Sequence, residues 1–310
     1  MKCLCCGKII DNSNEKDWHN ECIKKFFGTN KLPIIDLSSN NEELINYGEK
    51  YIEKNDSVTG VQTKLSLHLS KDKDEYKLTL IGYPLGYILK PETKEHHCIA
   101  RAEHLVMSMA NVASIQTPLH GLIRLKDDSY AYITKRIDRR KKDKVHMEDF
   151  CQLSNRLTED KYHSSYEQVA KVIDKYSSYS MLDKVELFYR LLFCFVTCNS
   201  DMHLKNFSLI EEKENIYLSP FYDLLPVNIL INDYEEVALT LNSKKRNIRK
   251  NDFIKFGENI KIDRKTINRL ISKIINYESI FIEMIKESLL EEELKEKFIT
   301  LMKERYLRIK

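Results

Sequence analysis

"NSDMHLKNFSLI", residues 199–210, follows directly on the most apolar stretch of the chain, residues 182–198. Asp201, His203, Lys205 and Asn206 bring a carboxylate, an imidazole, an ammonium and a carboxamide to a place where a packed core would want none, because unpaired polar groups are costly to take out of water. A catalytic loop held by a buried helix uses them all. Asn206 follows Asp201 at D-x4-N spacing, then come two apolar runs around a polar turn ("FSLI", "EEKEN", "IYLSPFYD") that end at Asp223. In phosphoryl transfer one Asp orients or accepts the hydroxyl proton, an Asn binds a metal ion, and a later Asp bridges metal to phosphates. D-x4-N alone is a weak signal, and its context decides.

That context lies upstream. Lys90 ends an apolar run in "GYPLGYILKPET", where a strand lysine can reach the α and β phosphates of ATP. Glu103 falls about one turn into the following helix, where a carboxylate can hold that lysine. Ser57, Val58, Thr59, Gly60, Val61 and Gln62 form a small-residue turn that offers backbone amides and hydroxyls to phosphate. Taken singly, Lys90 and Glu103 are more often solvated surface charges; together, in the right order and lobes relative to the D-x4-N loop, they point to a nucleotide site. His203 fits both a structural brace and a catalytic group, and Lys205 is placed to stabilise charge on a transferring phosphoryl group.

Periodicity supplies the lobes. "SVTGVQTKLSLHL" alternates at Val61, Leu65, Leu67 and Leu69 and predicts a strand after a turn at Gly60; a second strand is expected at 75–80 and a third ends at Lys90. Ile99, Ala102, Leu105, Val106, Met109 and Ala110 make one face of a helix, and "LHGLIRLK" and "SYAYITKRID" complete a small antiparallel sheet. A helical stretch is expected around 42–54. Beyond the charged turn near residue 140, helices are expected over 147–157, 165–177 and 181–198, and again through the tail. The expected organisation is a cysteine-rich segment over 1–55, a mainly β lobe with the ATP loop over 56–138, and a mainly α lobe with the catalytic loop over 139–310. This is an α+β chain with the bilobal outline of a protein kinase.

Composition narrows the alternatives. Lys+Arg 50 against Asp+Glu 47 leaves a formal charge of +3, which gives no case for a dedicated nucleic-acid binder. The amino end lacks the apolar core of a signal peptide, and residues 182–198 carry Asp183, Lys184, Glu186 and Arg190, so no membrane span is expected. A bacterial cytosol is the expected compartment, with export to a host left open. Cys98, Cys151, Cys194 and Cys198 stand in apolar contexts typical of reduced core thiols. Cys3, Cys6, His19 and Cys22 instead spell C-x2-C-x12-H-x2-C, two close pairs of the ligand types that tetrahedral Zn²⁺ takes, with Cys5 as a substitute. Ordinary reduced thiols at a chain terminus are the alternative reading of the same residues.

These motifs together resemble the HipA-like serine/threonine kinase toxins of bacterial toxin–antitoxin systems. The resemblance rests on "SVTGVQTKL", "YILKP", "ARAEHLVMSMA", "YITKRIDR", "HMEDFCQL", "NSDMHLKNFSL" and "PFYDLLP". It is nearest to the short HipT branch, since only about 55 residues precede the ATP loop. It implies Asp201 as catalytic base, Asn206 and Asp223 as Mg²⁺ ligands, and Lys90 as an ATP contact. Ser57 and Thr59 fall where this branch autophosphorylates its ATP loop and silences itself, and the S-x-T pattern leaves open which hydroxyl is modified. The resemblance further implies an aminoacyl-tRNA synthetase as protein substrate, and separate HipS-like and HipB-like antitoxin proteins as partners.

Two rival readings remain open in the sequence. "DMHLKN" shares its His and Asn spacing with the D-R-H-x-x-N loop of phosphoinositide-type lipid kinases, for which "SKKRNIRKND", residues 243–252, would be the basic surface. A non-catalytic binding module on a kinase fold is the other, although Lys90, Asp201, Asn206 and Asp223 are all present.

Overall fold

A computed structural model describes residues 1–11, 17–35, 37, 64–73, 75–80, 85–92, 97–140, 143–231 and 234–310. The expected helix over 42–54 and the ATP-loop residues Ser57, Thr59, Gly60, Val61 and Gln62 lie outside the described residues. The chain divides into two compact units, Met1–His104 with Pro118–Lys144, and Leu105–Thr117 with Val145–Lys310.

The first unit is built on a six-stranded sheet. Its elements are α1 (Asn20–Phe27), β1 (Ile34–Ile35), β2 (Leu65–Asp72), β3 (Glu75–Thr79), β4 (Leu85–Pro91), the start of α2 (Ile99–Val112), β5 (His120–Arg124), β6 (Tyr130–Lys135), β7 (Arg139–Arg140) and β8 (Asp143–Lys144). The strand order is β1-β3-β2-β4-β6-β5, with β7 and β8 forming a separate ribbon. The expected sheet is antiparallel, and so are all its pairings but one: β1 joins β3 in parallel. Two residues carry no periodicity, so this pairing had no signal in the sequence. Alternation places Leu65, Leu67, Leu89 and Ile133 on one buried face of the sheet.

The amino-terminal head closes over the β5 edge. Leu122 N donates to Leu4 O at 2.8 Å, and Trp18 Nε1 donates to Leu122 O at 2.8 Å. These bonds satisfy main-chain groups that an open edge strand would leave to water or to another chain. Trp18 is fully buried and meets Phe26 edge-on, with ring centroids 5.2 Å apart. Gly121 makes the close approach possible: a Cβ there would stand 2.6 Å from Trp18 Cζ2 and 2.8 Å from Cη2. Gly121→Ala is therefore expected to destabilise this unit by about 1–3 kcal/mol through overpacking. Trp18 is the chain's single tryptophan, so chemical denaturation followed by its fluorescence reads the effect directly. An unchanged midpoint would show that the ring gives way without cost.

The second unit is mainly helical. It contains β9 (Met147–Asp149), α3 (Phe150–Leu153), α4 (Tyr166–Tyr176), α5 (Ser180–Val196), β10 (Ser208–Glu212), β11 (Asn215–Leu218), α6 (Val227–Leu230), α7 (Lys250–Asn259), α8 (Arg264–Ile275), α9 (Glu278–Lys286) and α10 (Glu292–Ile309). The helix expected over 147–157 is corrected: Met147–Asp149 is a strand on β10, and only Phe150–Leu153 is helical. Asp149 makes the switch, because its carboxylate accepts from Gln152 N at 2.9 Å while its own N–H donates to Gln152 Oε1 at 2.9 Å, a capping box that starts the helix there. In the β10–β11 hairpin, Lys213 and Glu214 take φ of 50° and 67°, the paired positive values of a two-residue type I′ turn.

α5 is the central helix of this unit. Leu187 to Val196 are buried without interruption, and α4, α7, α8, α10 and β11 pack around the helix. Its charges are all paired: Arg190 with Glu186 Oε1 (2.8 Å) and Ser219 O (2.9 Å), Lys184 with Asp174 (2.7 Å), and Asp183 with Ser177 Oγ (2.6 Å) and Leu218 N (2.9 Å). Those pairings explain how a helix this buried carries four charged residues. Among the described residues no helix is long and apolar enough to cross a membrane.

Candidate active site

In the second unit the polar loop starts where α5 ends. Thr197 returns its hydroxyl to Phe193 O (2.8 Å), and Cys198 turns the chain out of the helix at φ 60°. Asn199 then accepts from Asp201 N through Oδ1 at 3.0 Å, and Asn228 donates to Ser200 Oγ at 3.2 Å. Tyrosines supply the remaining support: Tyr166 OH donates to Met202 O at 3.2 Å, and Tyr162 OH donates to Asp201 Oδ1. Burial pushes the Tyr166 phenol well above its ordinary range, so it stays a donor. Leu204 N donates to Lys161 O at 3.1 Å, which ties the far end of the loop to the same segment.

Asp201 is buried, with Tyr162 on one carboxylate oxygen and His203 Nε2 4.0 Å from the other. The buried His203 ring meets the Tyr162 ring edge-on at 4.8 Å. Asn206 Nδ2 donates to Asp201 O at 2.7 Å. This bond commits the amide nitrogen to the loop and makes Oδ1 the end of the side chain that can ligate a cation. Lys205 Nζ is held 2.9 Å from Asp149 Oδ2, so its charge is already partnered by a carboxylate.

Asp223 reaches this loop through its neighbour. Tyr222 OH bonds Ser208 Oγ at 2.5 Å and Lys205 O at 3.2 Å, gripping the chain on both sides of Asn206. Burial raises the Tyr222 phenol far above its usual range, which keeps the proton these bonds need. Asp223 itself sits at φ 56°, a left-handed conformation that Asp enters more readily than most residues. Both cation-ligand candidates thus offer oxygen donors, the chemistry Mg²⁺ prefers.

In the first unit, Lys90 Nζ lies 2.5 Å from Glu103 Oε1, with both side chains buried. Lys90 is opposite Tyr132 in the β4–β6 ladder, and its ammonium stands 5.3 Å from that ring's centroid. The strand therefore delivers the lysine and α2 delivers the carboxylate. A buried pair of this kind is costly to assemble and is retained where a fixed charge is needed. Sequence reasoning missed Tyr162, Tyr166, Tyr222, Asn199, Asn228 and Asp149. Nothing local marks the tyrosines, and only a capping-box pattern at Asp149 and Gln152 was available to find one of the six.

Two solved structures share this course of strands and helices. The Shewanella oneidensis HipA of a toxin–antitoxin complex with HipB and operator DNA matches with a TM-score of 0.70 at 20% identity, covering 90% of this chain and 72% of that one. The Helicobacter pylori proinflammatory kinase CtkA matches at 0.54 and 16% identity, over 79% of this chain and 94% of that one. The fold is kinase-like. The family model of the HipA-like C-terminal domain covers residues 56–279, and the chain belongs to that family. Curated relatives include a "Putative kinase" of Haemophilus influenzae, 29% identical over 71% of each chain, and "Putative kinase Y4dM" of Sinorhizobium fredii, 30% identical over 61% of this chain and 49% of that one.

Proposed function

We propose that this protein is an ATP-dependent serine/threonine protein kinase that serves as the toxin of a HipBST-like toxin–antitoxin system. The observation that carries the reading is the aim of the loop: Asp201 held by Tyr162, Asn206 turned by its bond to Asp201 O, and Asp223 brought to the same loop by Tyr222. Asp201 orients the acceptor hydroxyl and takes its proton, Lys90 contacts the nucleotide phosphates, and Glu103 keeps that ammonium in place. Asn206 and Asp223 would hold Mg²⁺, which when bound neutralises charge on the phosphate oxygens. His203 braces the loop through the Tyr162 ring, and Lys205 acts through Asp149 rather than as a free cation. Ser57 and Thr59 are the autophosphorylation sites in this reading.

The partner assignment is supported by the Shewanella oneidensis structure, in which HipA is bound to HipB and operator DNA. HipS-like and HipB-like antitoxins and a synthetase substrate are proposed here from the resemblance to the short HipT branch. The lipid-kinase reading draws little from the basic segment 243–252, since Lys244 is paired with Asp252 at 2.7 Å and Lys245 with Glu235 at 2.9 Å.

Purified protein incubated with Mg²⁺, labelled ATP and a bacterial lysate is expected to label a synthetase and its own 57–59 peptide. Replacing Ser57 and Thr59 together with Ala removes the self-label only. Label in a lipid extract and none in protein would overturn the protein-kinase assignment.

A further inference from the structure

We propose that Cys3, Cys6, His19 and Cys22 bind one Zn²⁺, which fastens the amino-terminal head onto the edge of the β5 strand. The four side chains come from two separate pieces of chain and converge: their ligand atoms all lie within 4.8 Å of one another. His19 Nδ1 stands 3.4 Å from Cys6 Sγ and 3.9 Å from Cys22 Sγ. Tetrahedral Zn²⁺, with Zn–S about 2.3 Å and Zn–N about 2.0–2.1 Å, sets S···N edges of roughly 3.6 Å. The two measured edges straddle that value.

The surroundings are those of a ligand set rather than of idle thiols. His19 Nε2 lies 3.0 Å from Ile9 O. A carbonyl only accepts, so Nε2 carries the proton and Nδ1 turns its lone pair toward the three sulfurs, the outer bond that fixes a metal-binding histidine. Cys3 Sγ receives His19 N at 3.4 Å, a main-chain donor suited to a thiolate. Cys3 to Gly7 form a tight turn, closed by Gly7 N to Cys3 O at 2.9 Å and by Cys3 N to Lys8 O at 2.8 Å, with Gly7 at φ 72°. That turn presents Cys3 and Cys6 side by side. The second pair is equally ordered, since His19 is the N-cap of α1 and Cys22 lies in its first turn.

Other occupants fit less well. Three sulfurs and an imidazole are the donors of zinc and not of Mg²⁺ or Ca²⁺, which take oxygen. A span of 4.8 Å holds a single ion rather than a multi-iron cluster. Cys5 is not one of the four, and its Sγ is directed to His120 O at 3.8 Å. All four residues are in segments that grip β5: Leu4, between Cys3 and Cys5, accepts from Leu122 N, and Trp18, beside His19, donates to Leu122 O. The ion would join these two grips by closing a loop of chain between them, which is how a structural zinc contributes to folding.

The test uses the full chain purified without chelator. Elemental analysis is expected to find about one zinc per chain in the wild type and less than about a tenth in Cys6→Ser and in Cys22→Ser, as for a site that loses one of four ligands. Cobalt added to the metal-stripped wild type should give the intense visible bands of a tetrahedral thiolate site, which His19→Cys keeps and His19→Ala weakens. Stripping the metal should also shift Trp18 fluorescence to the red as the head loosens. Wild-type protein without stoichiometric zinc and without the cobalt bands would overturn the proposal. So would zinc that persists in both cysteine variants, or a disulfide between any two of these cysteines in the protein as purified. None of these readouts depends on kinase activity.

Discussion

Asp201→Asn is expected to lower phosphoryl transfer by at least about a hundredfold, the loss typical of removing a general base, with little change in the fold. The carboxamide keeps an acceptor oxygen for the Tyr162 hydroxyl, and the main-chain bonds from Asp201 N to Asn199 and from Asn206 to Asp201 O are untouched. What is lost is the capacity to take a proton. ATP binding should persist, because the proposed contacts to nucleotide and metal belong to Lys90, Asn206 and Asp223. Asp223→Ala separates the roles further, as it should impair both transfer and metal-dependent nucleotide binding. Initial rates with labelled ATP beside calorimetric ATP binding check the pair. Wild-type rates in Asp201→Asn would remove the assignment of the base.

The second large effect concerns the pair in the first unit. Lys90→Met is expected to abolish nucleotide-dependent labelling and also to destabilise the protein by about 3–5 kcal/mol, because it strands the Glu103 carboxylate in a fully buried place. Loss of activity in that variant alone therefore says little about catalysis. Lys90→Met combined with Glu103→Leu removes both charges and should recover most of the stability, since apolar replacements for a buried pair are often neutral. It should recover none of the labelling. Denaturation midpoints and labelling of both variants give the answer, and a double variant as unstable as the single one would show that the pair is required for folding first.

Much of the fold was legible because it rests on local pattern. Leu65 and Leu67 alternate into the core, the apolar face of α2 is buried along its length, and the apolar run before the loop is the central helix α5. The misreading of 147–157 has a specific cause. Met147 to Asp149 are recruited by β10, whose Ile210, Leu209 and Ser208 lie some sixty residues away in sequence, and no local periodicity reports such a pairing. The parallel partnership of β1 with β3 escaped for the same reason. At the candidate site the residue types and their spacings could be read, whereas their supports could not: a tyrosine in "EDKYHSS" looks like any tyrosine in a polar segment until its hydroxyl is found on Asp201.

By itself the sequence determined the inventory and the order: a strand lysine, a helix glutamate, D-x4-N after a buried helix, a returning Asp, and two Cys/His pairs near the start. These follow from chain spacing and from hydrophobic periods, which are local quantities. Tertiary structure alone decided where each group points. Asp201 is oriented by a hydroxyl 39 positions earlier, Asn206 and Asp223 share the grip of Tyr222, Lys205 is claimed by an Asp 56 positions away, and the two Cys/His pairs converge on one another. A hydrogen bond or an ion pair depends on distance and angle in space, and residues far apart in sequence reach those values only after the core has packed.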